Sequence, residues 1–301
     1  MQQESKIVIS GASGFIGTAL VPFLEEQGHA VYRLVRRSPS SDREIQWNPG
    51  SELDPEALPA GLRVVINLSG SSIAVRFTEQ NRQEILNSRI SSTGTLVRAV
   101  QAMENPPELF INASGIGYYG DRRADLLTES SSPGNDFVAD VCRRWENALS
   151  PLKDVQTRTI ALRTGIVLDP YGGALEKMLP AFKTGLGAVL GDGRQYMSWI
   201  SLRDYLAVIR HAINTPKLAG PINAVAPEAV TNREFSQQLA QALGRGLFFS
   251  APAWALTTAM GEMARLLLLA SQRVQPEALE QSGFHWQDRS LSRTFAEFFS
   301  H

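Results

Sequence analysis

Apolar and polar positions follow two different periods along this chain. Compact apolar runs at residues 7–9, 30–35, 64–68, 109–113 and 159–163 read as buried strands, with a shorter one at 44–47. Between them, apolar residues recur at helical spacing. Ala19, Leu20, Phe23 and Leu24 mark a helix over 18–27, and Ile85, Leu86, Ile90, Leu96, Val97 and Val100 mark a long one over 79–103. Residues 54–58 and 137–149 complete the helices of this part. Strand and helix alternate, which predicts an α/β fold around a parallel sheet of six or seven strands.

After Asp169 the texture becomes mainly helical. Helices are expected at 174–183, at 202–214 behind a Ser201 cap, and from a Thr231–Glu234 capping box to 243. A further one should run from Pro252 to about 269, and Pro276 and Ser290 open two more. The expected division is a first domain over 1–168 and a smaller lobe over 169–301, interleaved with it.

The first strand runs straight into S-G-A-S-G-F-I-G, with glycines at 11, 14 and 17. Strand, glycine-rich turn and helix in that order begin a dinucleotide-binding βαβ unit. Gly11 allows the tight turn, Gly14 lets backbone approach a pyrophosphate, and Gly17 lets the helix lie close on the sheet. The helix N-terminus offers free N–H groups to phosphates. A structural turn is the alternative. The second strand ends in Arg36-Arg37 where nicotinamide-binding folds that take NAD carry an acid. Two guanidinium groups attract a 2′-phosphate, so NADP is the expected cofactor, against the plainer possibility of two solvated surface arginines. Leu68, Ser69 and Gly70 follow an apolar strand at its carboxyl end and should lie beside the cofactor, unless they form an ordinary turn.

Composition narrows the rest. The 301 residues are 43% hydrophobic, enough for a full core, and the net charge of −1 provides no basic field for nucleic acid. The single cysteine, Cys142, excludes an intrachain disulfide, and the four histidines are scattered without metal-ligand spacing. The start M-Q-Q-E-S-K shows no signal peptide, and no apolar stretch is long enough for a membrane span. A soluble cytoplasmic protein acting on a small molecule is expected, with no membrane partner and a homodimer left open.

Together the motifs resemble the extended short-chain dehydrogenase/reductase superfamily of sugar-nucleotide epimerases and dehydratases. The stretches Asn67-Leu-Ser-Gly70, Ser88-Arg-Ile90, Gly117-Tyr-Tyr-Gly120, Arg163-Thr-Gly-Ile-Val-Leu168 and Gly193-Arg-Gln-Tyr-Met-Ser-Trp-Ile200 narrow this. They resemble the atypical "epimerase family protein" branch, whose C-terminal domain of unknown function matches the region around Gln272–Pro276. The resemblance implies a Rossmann-type, doubly wound sheet binding NADP, with a smaller, mainly helical C-terminal substrate lobe. It implies cofactor contacts at Gly11, Ser13, Gly14, Phe15, Ile16, Arg36, Arg37, Leu68, Ser69 and Arg89, and at Val167 through its backbone. Arg89 could instead be an ion-pair partner. Glu84 is a further candidate for a ribose hydroxyl.

The chemical half of that superfamily is not carried over. Active members use a tyrosine as acid/base and a lysine four residues later. Alignment on Glu146 puts Val138 and Cys142 at those positions, and no tyrosine lies anywhere in 121–170. Ser114, Tyr118 and Tyr119, at the end of the fifth strand, are candidates for the substrate pocket, as are Trp199, Arg163 and Arg194. Packing around the turn or in the core is the alternative for the tyrosines and the tryptophan. An oxidoreductase or epimerase-like enzyme with a substitute proton donor is expected; the alternative is a protein that binds NADPH without turning it over.

Overall fold

The computed structural model describes residues 5–300; Met1–Glu4, the leading part of the stretch read as carrying no signal peptide, and His301 lie outside it. In chain order the main elements are β1 (Lys6–Ser10), α1 (Phe15–Glu25), β2 (Ala30–Val35), β3 (Glu44–Gln46), β4 (Leu62–Asn67), α2 (Glu79–Ala102), β5 (Leu109–Gly115) and α3 (Phe137–Asn147). They continue as β6 (Arg158–Thr164), α4 (Gly173–Lys183), α5 (Leu202–Asn214), β7 (Gly220–Ala224), α6 (Asn232–Ala242), α7 (Ala253–Met260), α8 (Glu277–Gln281) and α9 (Leu291–Phe299). The seven strands form one sheet in the order β7-β6-β5-β4-β1-β2-β3, with every pairing parallel. The chain winds outward from β1 in one direction to β3 and in the other to β7. This is the doubly wound Rossmann-type arrangement, with its switch point between β1 and β4.

Side chains alternate across each strand, so adjacent residues enter different cores. Ile7, Ile9, Val64, Ile66, Leu109, Ile111, Ile160 and Leu162 pack on one face with α1 and α5. Val8, Val65, Phe110 and Ala161 face the other way, against Leu96, Val97 and Val100 of α2. A third core belongs to the C-terminal lobe, where Leu175, Leu179 and Phe182 of α4 meet Phe235 and Leu239 of α6 and Phe295 of α9.

Buried polar groups tie the strand ends together. The Asn67 side chain accepts from Ser10 Oγ at 2.6 Å and from the Ser69 amide at 3.1 Å, and donates to Asn112 Oδ1 at 2.7 Å and Thr93 Oγ1 at 2.9 Å. Trp145 Nε1 donates to the same threonine at 3.0 Å, bringing α3 into the network.

Three expectations change. Helix α1 begins at Phe15, three residues ahead of the apolar-periodic start, because Gly14 takes the extended N-cap conformation (φ −80°, ψ 172°) directly after the turn. The long helix expected from Pro252 stops at Met260, where Gly261 adopts φ 68°, and resumes as a π turn over Ala264–Leu268. No side chain of α7 is buried. The seventh strand comes from residues 220–224, which show too little apolar pattern to mark a strand. The Thr231–Glu234 capping box and the Ser201 cap both form.

A Cβ built on Gly17 falls 2.3 Å from the Gly11 carbonyl oxygen and 2.6 Å from Ala12 Cα. Glycine inside a helix ordinarily costs about 1 kcal/mol relative to alanine. Gly17→Ala should therefore lose stability rather than gain that amount. Urea denaturation of the two proteins checks this, and a stabilised variant would contradict the close helix–loop packing.

Candidate functional site

The crevice lies over the carboxyl ends of β1 and β4. Gly11 has φ 74°, and a Cβ there would lie 2.8 Å from the carbonyl carbon and oxygen of Leu68 and 3.0 Å from the Ser69 nitrogen. The first loop therefore rests directly on the Leu68–Gly70 segment, and only glycine permits it. Beyond it, Ser13 and Gly14 are exposed. The N-terminus of α1 has no side-chain cap and no acidic residue in its first turn. Uncapped amides on the positive end of a helix whose first turn carries no acid fit a pyrophosphate. Phe15 contributes differently from a pure ligand contact. Its ring lies under the Gly172-Gly173 turn, where added Cβ atoms would fall 2.2 and 2.8 Å from ring carbons. It thus pins the start of α4 to the glycine loop, while Ile16 packs against the core.

At the end of β2 the two arginines separate. Arg36 is exposed and has no carboxylate partner among the described residues. Arg37 is held in a bidentate pair by Glu44 at 2.8 and 2.7 Å. Glu44 also meets Arg33 at 3.4 Å and accepts from Ser40 N and Oγ at 2.7 and 2.8 Å. The hydrogen bonds from Arg37 and Ser40 hold the Glu44 carboxyl at about 2, well below its usual value. The two arginines therefore differ in environment, because Arg37 is braced by an acid that the strand pairing of β2 with β3 brings beside it.

Arg89 is buried beneath the Leu68–Ser71 loop. Its Nη1 donates to the carbonyls of Ile85 at 2.9 Å and Ser71 at 3.1 Å, and its guanidinium lies 4.9 Å from the Trp145 ring centroid. No carboxylate pairs with it among the described residues, so the ion-pair alternative falls, and burial lowers its pKa. Gly70 is the close neighbour: a Cβ there would lie 3.1 Å from Arg89 Cζ. Glu84 is exposed on another face of α2, about 140° round the helix from Arg89. Val167 is half-buried, pairs with Ile200, and packs against the core, with its carbonyl beside Gly173.

The position of the missing acid/base pair is filled rather than vacant. Val138 and Cys142 cluster with Leu266 from the C-terminal lobe, flanked by Ile73, Phe77, Tyr118 and Phe137. Gly117 is required there, since a Cβ would fall 2.4 Å from Val138 Cγ1. Burial first, and Glu146 second, push the Cys142 thiol up to about 12. A thiol buried in apolar surroundings in this way has the environment of a packing residue rather than a nucleophile.

The pocket candidates divide by environment. Trp199 is completely buried among Leu168, Phe235 and Phe295, which corrects its place in a substrate pocket. Tyr119 is also fully buried; its hydroxyl donates to Asn223 at 2.7 Å and accepts from Arg163 at 3.0 Å, and burial raises it to about 12. Arg163 is a structural hub, bidentate to Glu146 at 2.9 Å on both arms, with Ser114 Oγ donating to the same carboxylate at 2.7 Å. Tyr118 stacks on the Arg163 guanidinium at 3.5 Å and is only partly buried; among the described residues its hydroxyl makes no hydrogen bond. Arg194 is exposed on the Asp192 turn. Sequence reasoning missed an open cleft of about 500 Å³, lined by Arg82, Asp136, Phe137, Asp140, Glu262 and Arg265. Its residues come from α2, α3 and the segment after α7, and no spacing in the chain joins them.

Two outcomes follow. Cys142 should resist alkylation at pH 8 in the native protein and react after denaturation; rapid native labelling would overturn its assignment as a packing residue. Glu44 stabilises the fold fully above its unfolded value of about 4.3, and that contribution disappears as pH falls towards 2. The difference in melting temperature between wild type and Glu44→Gln should be constant above pH 5 and shrink below it. A pH-independent difference would contradict the depressed carboxyl.

The fold has close counterparts. Residues 7–225 match the NAD dependent epimerase/dehydratase family, and residues 251–298 match a domain of unknown function, DUF1731. A Mycobacterium bovis epimerase family protein is 42% identical over 287 residues, covering 95% of this chain and 94% of the relative. The human epimerase family protein SDR39U1, solved with NADPH, superposes with a TM-score of 0.90 at 31% identity, covering 98% of this chain and 99% of that one. A nucleoside-diphosphate sugar epimerase from Corynebacterium glutamicum gives 0.81 at 33% identity, covering 99% of this chain and 59% of that one. No helix among the described residues is long and apolar enough to cross a membrane. By the extent of these matches, the chain belongs to the NAD dependent epimerase/dehydratase family.

Proposed function

We propose that the protein binds NADP(H) in the crevice between β1 and β4 and uses it in redox chemistry on a small molecule. The observation that carries this is the uncapped, acid-free N-terminus of α1 above a loop pressed onto Leu68 and Ser69. Gly11, Ser13 and Gly14 would hold the pyrophosphate with the first-turn amides of α1. Leu68, Ser69 and Gly70 would line the ribose side, and Arg89 would supply a buried positive charge, with no carboxylate paired to it among the described residues. Arg36 at the end of β2 would take the 2′-phosphate. The NADPH complex of the human relative supports the same choice.

Bound NADPH would supply hydride, and the chain would supply orientation and the proton. The Val138–Cys142 position is a poor source for the proton, since valine carries none to give and the Cys142 thiol is enclosed in apolar packing. Tyr118, with its hydroxyl uncommitted, is the strongest replacement among the candidates. The lobe over 169–301 would close the substrate side. A second reading follows from the same filled slot: the protein senses NADPH without turning it over.

Fluorescence titration should show NADPH binding more tightly than NADH. Arg36→Ala should weaken NADPH by about 1.5–3 kcal/mol, the scale of a hydrogen bond to a charged group, and leave NADH nearly unchanged. Equal affinities for the two cofactors in the wild type would sink the NADP assignment. Loss of reduced-nicotinamide absorbance across a panel of small carbonyls, quinones and sugar nucleotides separates the enzyme from the sensor.

A further inference from the structure

The turn between β2 and β3 is exposed from Arg36 to Arg43, yet the carboxylate at its end is not. The Glu44 side chain is only 2% exposed. It takes two hydrogen bonds from Arg37, two from Ser40 and an ion pair from Arg33. Arg37 Nη1 also donates to the Ser38 carbonyl at 2.8 Å, and the Glu44 amide donates back to Ser41 at 3.0 Å. One buried acid therefore fixes the path of residues 37–41 from beneath. Arg36 alone among the three arginines at residues 33, 36 and 37 stays outside this grip. An outer arginine, Arg43, is turned towards Glu25 at 3.9 Å.

We propose that Glu44 is a positioning residue for 2′-phosphate selectivity: it holds the 37–41 turn and Arg37 in place, so that Arg36 and the turn present a preformed anion site. This rests on the NADP(H) reading above. The sign of the expected effect is what distinguishes it. A carboxylate near a phosphate site should weaken anion binding by repulsion, and its removal should strengthen binding. Here the acid is neutralised by two guanidinium groups and buried beneath the turn. Its removal instead frees the turn, and ordering it again on binding costs affinity.

Adenosine 2′,5′-bisphosphate and adenosine 5′-monophosphate differ only in the 2′-phosphate, and calorimetric titration with both isolates this corner. Glu44→Gln keeps the shape but cannot accept from Arg37 and Ser40 in the same way. It should weaken the bisphosphate about tenfold, the scale of one lost charge-assisted contact, and leave the monophosphate within about twofold. Ser40→Ala should shift selectivity in the same direction by less. Hydrogen exchange at the Ser40 amide, read without ligand, should accelerate in Glu44→Gln. Bisphosphate binding unchanged or tightened, equal loss for both nucleotides, or unaltered Ser40 exchange would each overturn the positioning role. A wild-type protein that does not prefer the bisphosphate would instead overturn the NADP(H) reading beneath it.

Discussion

The Asn67 side chain is the point on which the crevice depends. It sits at the end of β4, where the sheet changes winding direction, and uses all its hydrogen-bonding groups at once. Through it the ends of β1, β4 and β5 keep a common level with α2 beneath them. Buried polar groups left unpaired are expensive, so this network tolerates one arrangement of the three strands and few others. Gly11 can then lie against Leu68 with no room for a side chain, and the amides at the start of α1 point across a floor of known height.

On that floor two halves have been built to different ends. The half near α1 and β2 keeps open amides, an exposed arginine without an ion-pair partner among the described residues, and a turn braced from below. The half near β5 and α3 is closed by apolar packing, where Val138 sits on Gly117 and Leu266 arrives from the C-terminal lobe. Nearby polar side chains are committed elsewhere. Ser114 and Arg163 both bind Glu146, and Tyr119 is tied to Asn223. The first half thus keeps an uncapped helix N-terminus open, while the second is filled by side-chain packing.

The C-terminal lobe is coupled to both halves. Phe15 of the glycine loop supports the Gly172-Gly173 turn, and Arg82 of α2 pairs with Glu262 beyond α7. The π turn carrying Leu266 follows Gly261, and α7 before it buries no side chain. The segment over the β5 end is held by Arg76 at the Ala259 carbonyl, by the Arg82–Glu262 pair and by the buried Met263, Ala264 and Leu266.

Local pattern alone determined the alternation of strand and helix, the glycine turn and the two capping motifs. Each is written in neighbouring residues: a period of two or 3.6, a glycine after a strand, a hydroxyl three residues before an acid. Tertiary structure decided the rest. It recruited residues 220–224 as the last strand, because a sheet edge can accept a weakly patterned segment that parallel pairing completes. It placed Trp199 in a core and left the Tyr118 hydroxyl without a hydrogen bond among the described residues. It brought Glu44 under Arg37 through the β2–β3 register, so that Arg37 is braced while Arg36 has no carboxylate partner among the described residues. Charge and hydrogen-bond partners are set by distances between strands, and no periodicity along one strand encodes them.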